Sequence, residues 1–194
     1  MIFAHREFWH SSYVEGDIAL VILSKEIKLN AFVRPVCLPE EDEGDLAILG
    51  TNGVVAGWGI TRAFSPREST HPSERSSVLR HAAFTIQSDH LCSKKSVLTY
   101  NTTMTFCAGD GKGGRDTVKG HTCKGDSGGA FVRQIRRGSR SQWVAVGIAS
   151  WGYGCAQKDE YGYYTRLHPF SQWIKKTMEE CKYGNFFFSI EKGN

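Results

Sequence analysis

The stretch Cys123-Lys124-Gly125-Asp126-Ser127-Gly128-Gly129 constrains this chain more than any other. Glycine has no Cβ and reaches backbone angles closed to other residues. A bend framed by glycines pushes Ser127 into solvent and turns the amides of Gly125 and Ser127 toward one point. Two converging N–H donors are what a tetrahedral oxyanion needs. Ser127 is therefore a candidate nucleophile, and the preceding acid and cysteine carry the string well beyond a bare G-x-S-x-G.

The bulk numbers set bounds. A chain of 194 residues, 40% hydrophobic and 23% charged, is long enough for one domain with a core or two small halves. The net charge of +4 is mild and spread along the chain, which carries no nucleic-acid signal. Six cysteines among many turn residues point to an oxidising compartment. No apolar run reaches the length of a membrane-spanning helix. Neither a metal nor a cofactor is expected. Ile2-Phe3-Ala4-His5 reads as a strand already in progress rather than a signal peptide. Disulfide-type cysteines without a leader imply a fragment or a truncated gene reading, or else a short isoform.

Gly-Asp-Ser-Gly-Gly after a cysteine resembles the nucleophile loop of trypsin/chymotrypsin-type serine endopeptidases. Further strings follow in that family's order: Asp17-Ile18-Ala19-Leu20, Arg34-Pro35-Val36-Cys37-Leu38-Pro39, Gly57-Trp58-Gly59, Phe106-Cys107-Ala108-Gly109, Ser150-Trp151-Gly152 and Tyr164-Thr165-Arg166. Gly128-Gly129-Ala130-Phe131 and Trp173-Ile174-Lys175-Lys176-Thr177-Met178 are similar to the complement-type branch of the first component and the lectin pathway. The resemblance implies an all-β fold of two six-stranded antiparallel Greek-key β-barrels, the first incomplete here, with a C-terminal α-helix. It spans residues 1–180: 1–39 as the remnant of the first barrel and the crossover, 40–180 as the second barrel and terminal helix. Residues 181–194 form a tail outside the pattern.

The same resemblance assigns roles. Ser127 attacks the scissile carbonyl, and the amides of Gly125 and Ser127 stabilise the oxyanion. Asp17, ahead of the apolar run 18–23, orients the catalytic histidine. An acid directly before a buried strand needs a partner in any case. The histidine belongs to a Thr-Ala-Ala-His-Cys-like motif that lies before this sequence; His5 matches a peripheral strand histidine, and His10 lacks the family's surroundings. A hydroxyl without an adjacent base is a poor nucleophile, so these residues alone are expected to be inactive. Asp126 pairs with the amino terminus freed by activation. The pocket floor is ambiguous. The family places an aspartate two residues before the serine loop's cysteine, where this chain has His121-Thr122-Cys123, while Arg115-Asp116-Thr117 stands a few residues back. Asp116 at the floor implies cleavage after Arg or Lys; His121 there removes that preference. Gly152 and Gly162 match open pocket walls, and Ser150-Trp151-Gly152 matches the edge that pairs with substrate backbone. Cys92 is expected to pair with Cys107, and Cys123 with Cys155. Cys37 links to an upstream regulatory chain of the same precursor, with a free buried thiol as the alternative. Asn101-Thr102-Thr103 is a glycosylation sequon. The implied partners are a protein substrate and that upstream chain, in a secreted setting without nucleic acid or membrane. The contrasting reading is a non-catalytic, haptoglobin-like binding module.

Local expectations complete the picture. Residues 2–8 read as a short strand and turn, leading into a loop with Trp9, His10 and Tyr13. Glu40-Glu41-Asp42-Glu43 reads as a solvated acidic loop without a role. Strands are expected within 46–58, over 78–86 and over 143–148, a loop over 61–77, and a helix carrying Cys92 over 88–97. Residues 133–140 place four arginines on a hairpin loop read as a solvated face. Pro169 opens a terminal helix with apolar positions Phe170, Trp173, Ile174, Thr177, Met178 and Cys181 at helical spacing. Phe186-Phe187-Phe188 beyond it has no family counterpart.

Overall fold

The computed structural model describes residues 1–10, 14–60, 75–112, 122–155 and 157–182. The N-terminal region holds strand β1 (Ile2–Ala4), helix α1 (Arg6–His10) and strand β2 (Ala19–Val21). β1 and β2 pair antiparallel, with Phe3 opposite Leu20, in a sheet of their own. The loop expected around Trp9 and His10 is instead the single turn of α1, where no glycine or β-branched residue opposes a helix. The apolar run after Asp17 supplies only three strand residues, matching the three of β1. From Ile22 the chain runs irregularly to a 3₁₀ turn at Glu41–Glu43. On the way it touches the larger sheet at Cys37, whose N–H donates to Trp143 O at 3.2 Å and whose carbonyl accepts from Ala145 N–H at 2.9 Å.

The larger region is built from β3 (Asn52–Gly57), β4 (Arg80–Thr85), α2 (Asp89–Lys95), β5 (Thr105–Ala108), β6 (Ala130–Arg137), β7 (Arg140–Gly152), β8 (Gly162–Arg166) and α3 (Ser171–Lys182). Its six strands form one antiparallel sheet in the order β4-β3-β6-β7-β8-β5. The outer strands approach each other at a single bridge, Ile86 to Ala108, beside which Gly109 N–H donates to Thr85 O at 3.0 Å. The sheet thus curls without closing its ladder. In place of two six-stranded barrels, the described residues show one curled six-stranded sheet and a small two-stranded one. Two three-residue strands are too few and too short to wrap a core.

The core is aromatic. Phe106, Phe131 and Tyr164, from β5, β6 and β8, sit with ring centroids 4.9 to 5.3 Å apart. Val55, Phe84, Val144 and Val146 close around them. Each such ring contributes about 1.5–3 kcal/mol by leaving water. The Tyr164 hydroxyl accepts from Thr122 Oγ1 at 3.2 Å, so its polar end is satisfied, and burial pushes its phenol well above the ordinary value. Helix α2 starts where Ser88 Oγ accepts from Leu91 N–H at 3.2 Å, and carries Lys94 and Lys95 in its last turn. A 3₁₀ turn, His168–Phe170, precedes α3, which buries Ile174 and Thr177.

The arginine hairpin and the acidic run correct their expectations together. The arginines lie mostly within β6 rather than on a loop. Arg137 grips Glu43 through Nε (2.6 Å) and Nη2 (2.5 Å) and reaches Glu40 at 3.3 Å. That hydrogen bonding holds the Glu43 carboxyl below the ordinary glutamate value. Arg133 donates to the Leu46 carbonyl. Part of each charge run is therefore consumed in joining residues 38–46 to β6. Arg166, nearly buried, is held by Asp45 and, at 3.0 Å, by Asp89.

Candidate active site

The serine loop is shaped by two glycines in left-handed backbone: Gly125 has φ 100° and Gly128 has φ 82°. Asp126 N–H donates to Cys123 O at 3.0 Å, and Gly129 N–H to Asp126 O at 2.9 Å, which closes the turn. Gly128 N–H donates to Ala149 O at 2.8 Å and ties the loop to β7. A disulfide, Cys123–Cys155, anchors its entry with Cα atoms 5.2 Å apart.

The Asp126 carboxylate accepts from Gly59 N–H at 2.8 Å and from Cys123 N–H at 3.1 Å. A Cβ at Gly57 would stand 2.1 Å from its Oδ1, and one at Gly59 would stand 2.3 Å from its Oδ2. Gly57-Trp58-Gly59 is thus the cradle that lets Asp126 lie down, leaving Ser127 on the outside. Ser127 is exposed, and among the described residues the amides of Gly125 and Ser127 have no hydrogen-bond partner.

Ser127 lines an open cleft of about 510 Å³ together with Cys123, Ser150, Trp151, Gly152 and Tyr153. Trp151 lies flat on Tyr163, centroids 3.7 Å apart, and the Tyr163 hydroxyl donates to Cys92 O at 2.9 Å. The second disulfide, Cys92–Cys107, fixes α2 to β5 beneath this stack. β6 ends its pairing at Ala130 opposite Ile148, while β7 continues to Gly152. One edge of residues 150–152 therefore has no strand beside it among the described residues.

Asp17, in the N-terminal region, meets one of the residues that line the cleft. Ser150 Oγ donates to Asp17 Oδ2 at 2.5 Å, and Thr165 Oγ1 donates to the Asp17 carbonyl at 3.0 Å. Ser150 was expected to act through its backbone. Its hydroxyl on Asp17, and the part played by Thr165, were not foreseen, although both residues stand in motifs legible in the sequence. His5 turns elsewhere: its ring meets Phe170 and Trp173 edge-on at 4.9 and 5.1 Å, and its Nδ1 accepts from Glu7 N–H at 3.3 Å. Burial there lowers its pKa. Among the described residues no imidazole hydrogen-bonds to Asp17 or Ser127.

The remaining candidates fall into place unevenly. Gly152 borders the cleft, while Gly162 is buried opposite it in the β7–β8 ladder. Asp116 and His121 lie outside the described residues. Cys37 is a half-buried free thiol whose Sγ stands 3.8 Å from Gln142 Oε1. Asn101 Oδ1 accepts from Thr103 N–H at 2.9 Å and from Thr103 Oγ1 at 2.7 Å. Among the described residues no group of three His, Cys, Asp or Glu side chains is placed to hold a metal ion.

Comparison with known proteins agrees with this geometry. The chain is 37% identical over 168 residues to mannan-binding lectin serine protease 1 of Mus musculus, covering 87% of this chain and 21% of the relative. It is 38% identical over 170 residues to the Rattus norvegicus protein of the same name, covering 87% and 21%, and 38% identical over 163 residues to that of Homo sapiens, covering 84% and 21%. The chain thus spans about a fifth of the length of these relatives. A sequence profile described as Trypsin matches residues 1–174. A glycine-framed serine over an open cleft, two disulfides bracketing it and a profile match across most of its length agree: the chain belongs to the trypsin family of serine endopeptidases.

Proposed function

We propose that this chain supplies the nucleophile half of a secreted serine endopeptidase. The Ser127 hydroxyl attacks the substrate carbonyl carbon, its proton passing to an imidazole carried outside these 194 residues. Asp17, held by Ser150, orients that imidazole and stabilises its charged form. The free amides of Gly125 and Ser127 receive the oxyanion, and the leaving amine takes the proton back as the acyl-enzyme forms. Water then repeats the sequence to release the acid. The observation that supports this reading is the hydrogen bond to Asp17 Oδ2 from the hydroxyl of Ser150, a residue that lines the same cleft as Ser127.

The finer parts of the proposal follow. The curled six-stranded sheet is the second of two barrels, and the β1–β2 sheet belongs to the first. The crevice at Asp126, bounded by Gly57, Gly59 and Ile60, receives the amino terminus released on activation. Asp116 confers cleavage after Arg or Lys. Cys37, free and half-buried beside β7, pairs with an upstream chain of the precursor. Asn101, whose Oδ1 already engages the Thr103 hydroxyl, carries a glycan. The names of the relatives tie them to a mannan-binding lectin, and this chain serves lectin-linked proteolysis of the same kind.

An active-site fluorophosphonate tests the core of it. The complete gene product is labelled at Ser127, its Ser127→Ala form is not, and the 194-residue chain alone is not. Rapid labelling of the isolated chain removes the need for an external base. A complete product that carries the histidine and still resists labelling favours the second reading, a haptoglobin-like binding module. The specific observation behind that alternative is the lack of an imidazole on Asp17 or Ser127 among the described residues. Peptide-library cleavage then decides Asp116 against His121, since loss of preference for basic residues counts against Asp116.

A further inference from the structure

One titratable ring, His5, ties the N-terminal region together and seats it on the larger one. His5 N–H donates to Ile18 O at 3.0 Å, and its carbonyl accepts from Phe8 N–H at 3.1 Å. Its Nδ1 accepts from Glu7 N–H at 3.3 Å, so the ring caps a first-turn donor of α1 that no helical carbonyl can reach. An accepting Nδ1 leaves the single proton of the neutral ring on Nε2. The turn before β2 closes over the same nitrogen. Gly16 is buried there at φ 62°, and a Cβ on it would stand 3.4 Å from Nδ1 and 2.8 Å from Glu7 Cβ. On its other side the ring meets Phe170, in the turn before α3, and Trp173, within α3, at 4.9 and 5.1 Å.

Protonation reverses the polarity of that nitrogen. An imidazolium donates from both nitrogens, so Nδ1–H then faces Glu7 N–H, donor against donor. The new charge also sits against two aromatic rings and the Gly16 turn, where water is partly excluded. The charged groups around it do not compensate. The Glu7 carboxylate favours the cation, but it stands 3.4 Å from Arg6 Nε, which opposes it. On α3, Lys175 and Lys176 stand against Glu41 and Glu180, and next to Ile18 the Asp17 carboxylate accepts from Ser150 Oγ. Burial outweighs Glu7, and the ring's pKa lies below the ordinary 6.5.

The geometry points to His5 as an acid-released latch: a proton on Nδ1 breaks the cap on α1 and loosens the N-terminal region, with Asp17 in it, from α3. The latch is independent of any catalytic role, while its effect on proteolysis rests on Asp17 serving an imidazole. A lowered histidine pKa sets the sign. The hold is complete above the ordinary histidine value and is lost as pH falls through the folded one. Amide exchange of the 194-residue chain between about pH 7.5 and pH 5 tests it, with the intrinsic pH dependence of exchange divided out. On acidification, protection at Glu7 and across the β1–β2 pairing falls about threefold relative to β6–β8, the worth of one modest hydrogen bond. His5→Asn offers a cap oxygen that does not titrate, and His5→Phe keeps an aromatic ring without an acceptor; in both the ratio stays flat with pH. A wild-type ratio that is flat, the same acid loss in either variant, or a His5 ring that titrates at or above 6.5 overturns the proposal. None of these outcomes bears on the labelling of Ser127, which tests the proteolytic reading separately.

Discussion

Phe131 and Phe32 are the same side chain in opposite circumstances, 0% and 97% exposed. Phe131 sits on β6, which has ladder partners on both sides in the curled six-stranded sheet. Phe32 sits in the irregular stretch after β2, beside Ile27 and Leu29, each more than half exposed. The N-terminal region is attached to the larger one by a few contacts. Ile18 is buried among Ala145, Leu167, Phe170 and Ile174, Asp17 is held by Ser150 and Thr165, and His5 rests on Phe170 and Trp173. The difference teaches that apolar content does not make a core. A core needs enough strands to wrap, and only the six-stranded sheet has them.

The sharpest way to break this comparison is to truncate both phenylalanines. Phe131→Ala is expected to cost about 3–5 kcal/mol in urea unfolding, because it empties a packed aromatic cluster. Phe32→Ala should stay within about 0.5 kcal/mol. Equal losses overturn the contrast between the regions. Next in size is Cys92→Ala with Cys107→Ala, which opens a loop with sequence separation 15 and should remove about 3 kcal/mol. The loss should appear as faster amide exchange in α2, with β1 and β2 unaffected.

Ser150→Ala sharpens the link between the regions. Losing a hydrogen bond to a carboxylate costs roughly 1.5–3 kcal/mol where the acid stays buried, and less here because Asp17 is only half-buried. Exchange should rise over residues 1–22 while β6 to β8 keep their protection; a uniform change across both regions counts against local attachment. The smallest effect is a pH dependence. Arg137 holds Glu43 below its ordinary value, so the folded state favours the carboxylate. That stability is complete above the ordinary glutamate range near pH 4.5 and is lost as pH falls through the lowered value. Glu43→Gln should flatten the acid limb by at most about 1 kcal/mol, the pair being at the surface. An unaltered acid limb shows that the pair contributes nothing.

Much of the architecture was legible locally. The helix expected over 88–97 is α2, Asp89–Lys95, alternation marked β4, and Pro169 announced the approach to α3. The disulfides Cys92–Cys107 and Cys123–Cys155 form the pairs that the family resemblance implied. What misled was also local. Residues 6–10 looked like turn running into loop because no buried face marks them, and α1 buries none of its residues. The acidic run and the arginines each looked solvated because their partners are not near them in the chain.

The sequence by itself determined the bend around Ser127, since glycines at 125 and 128 act on their own backbone and need no distant help. It also determined the family, through strings of a few residues each. Tertiary structure alone decided which groups meet across the chain: Asp126 with Gly59 at a separation of 67, Glu43 with Arg137 at 94, Asp17 with Ser150 at 133. Those meetings depend on strand register and on how far a sheet curls. Register and curl are collective properties of all the strands at once, and no short window of residues contains them.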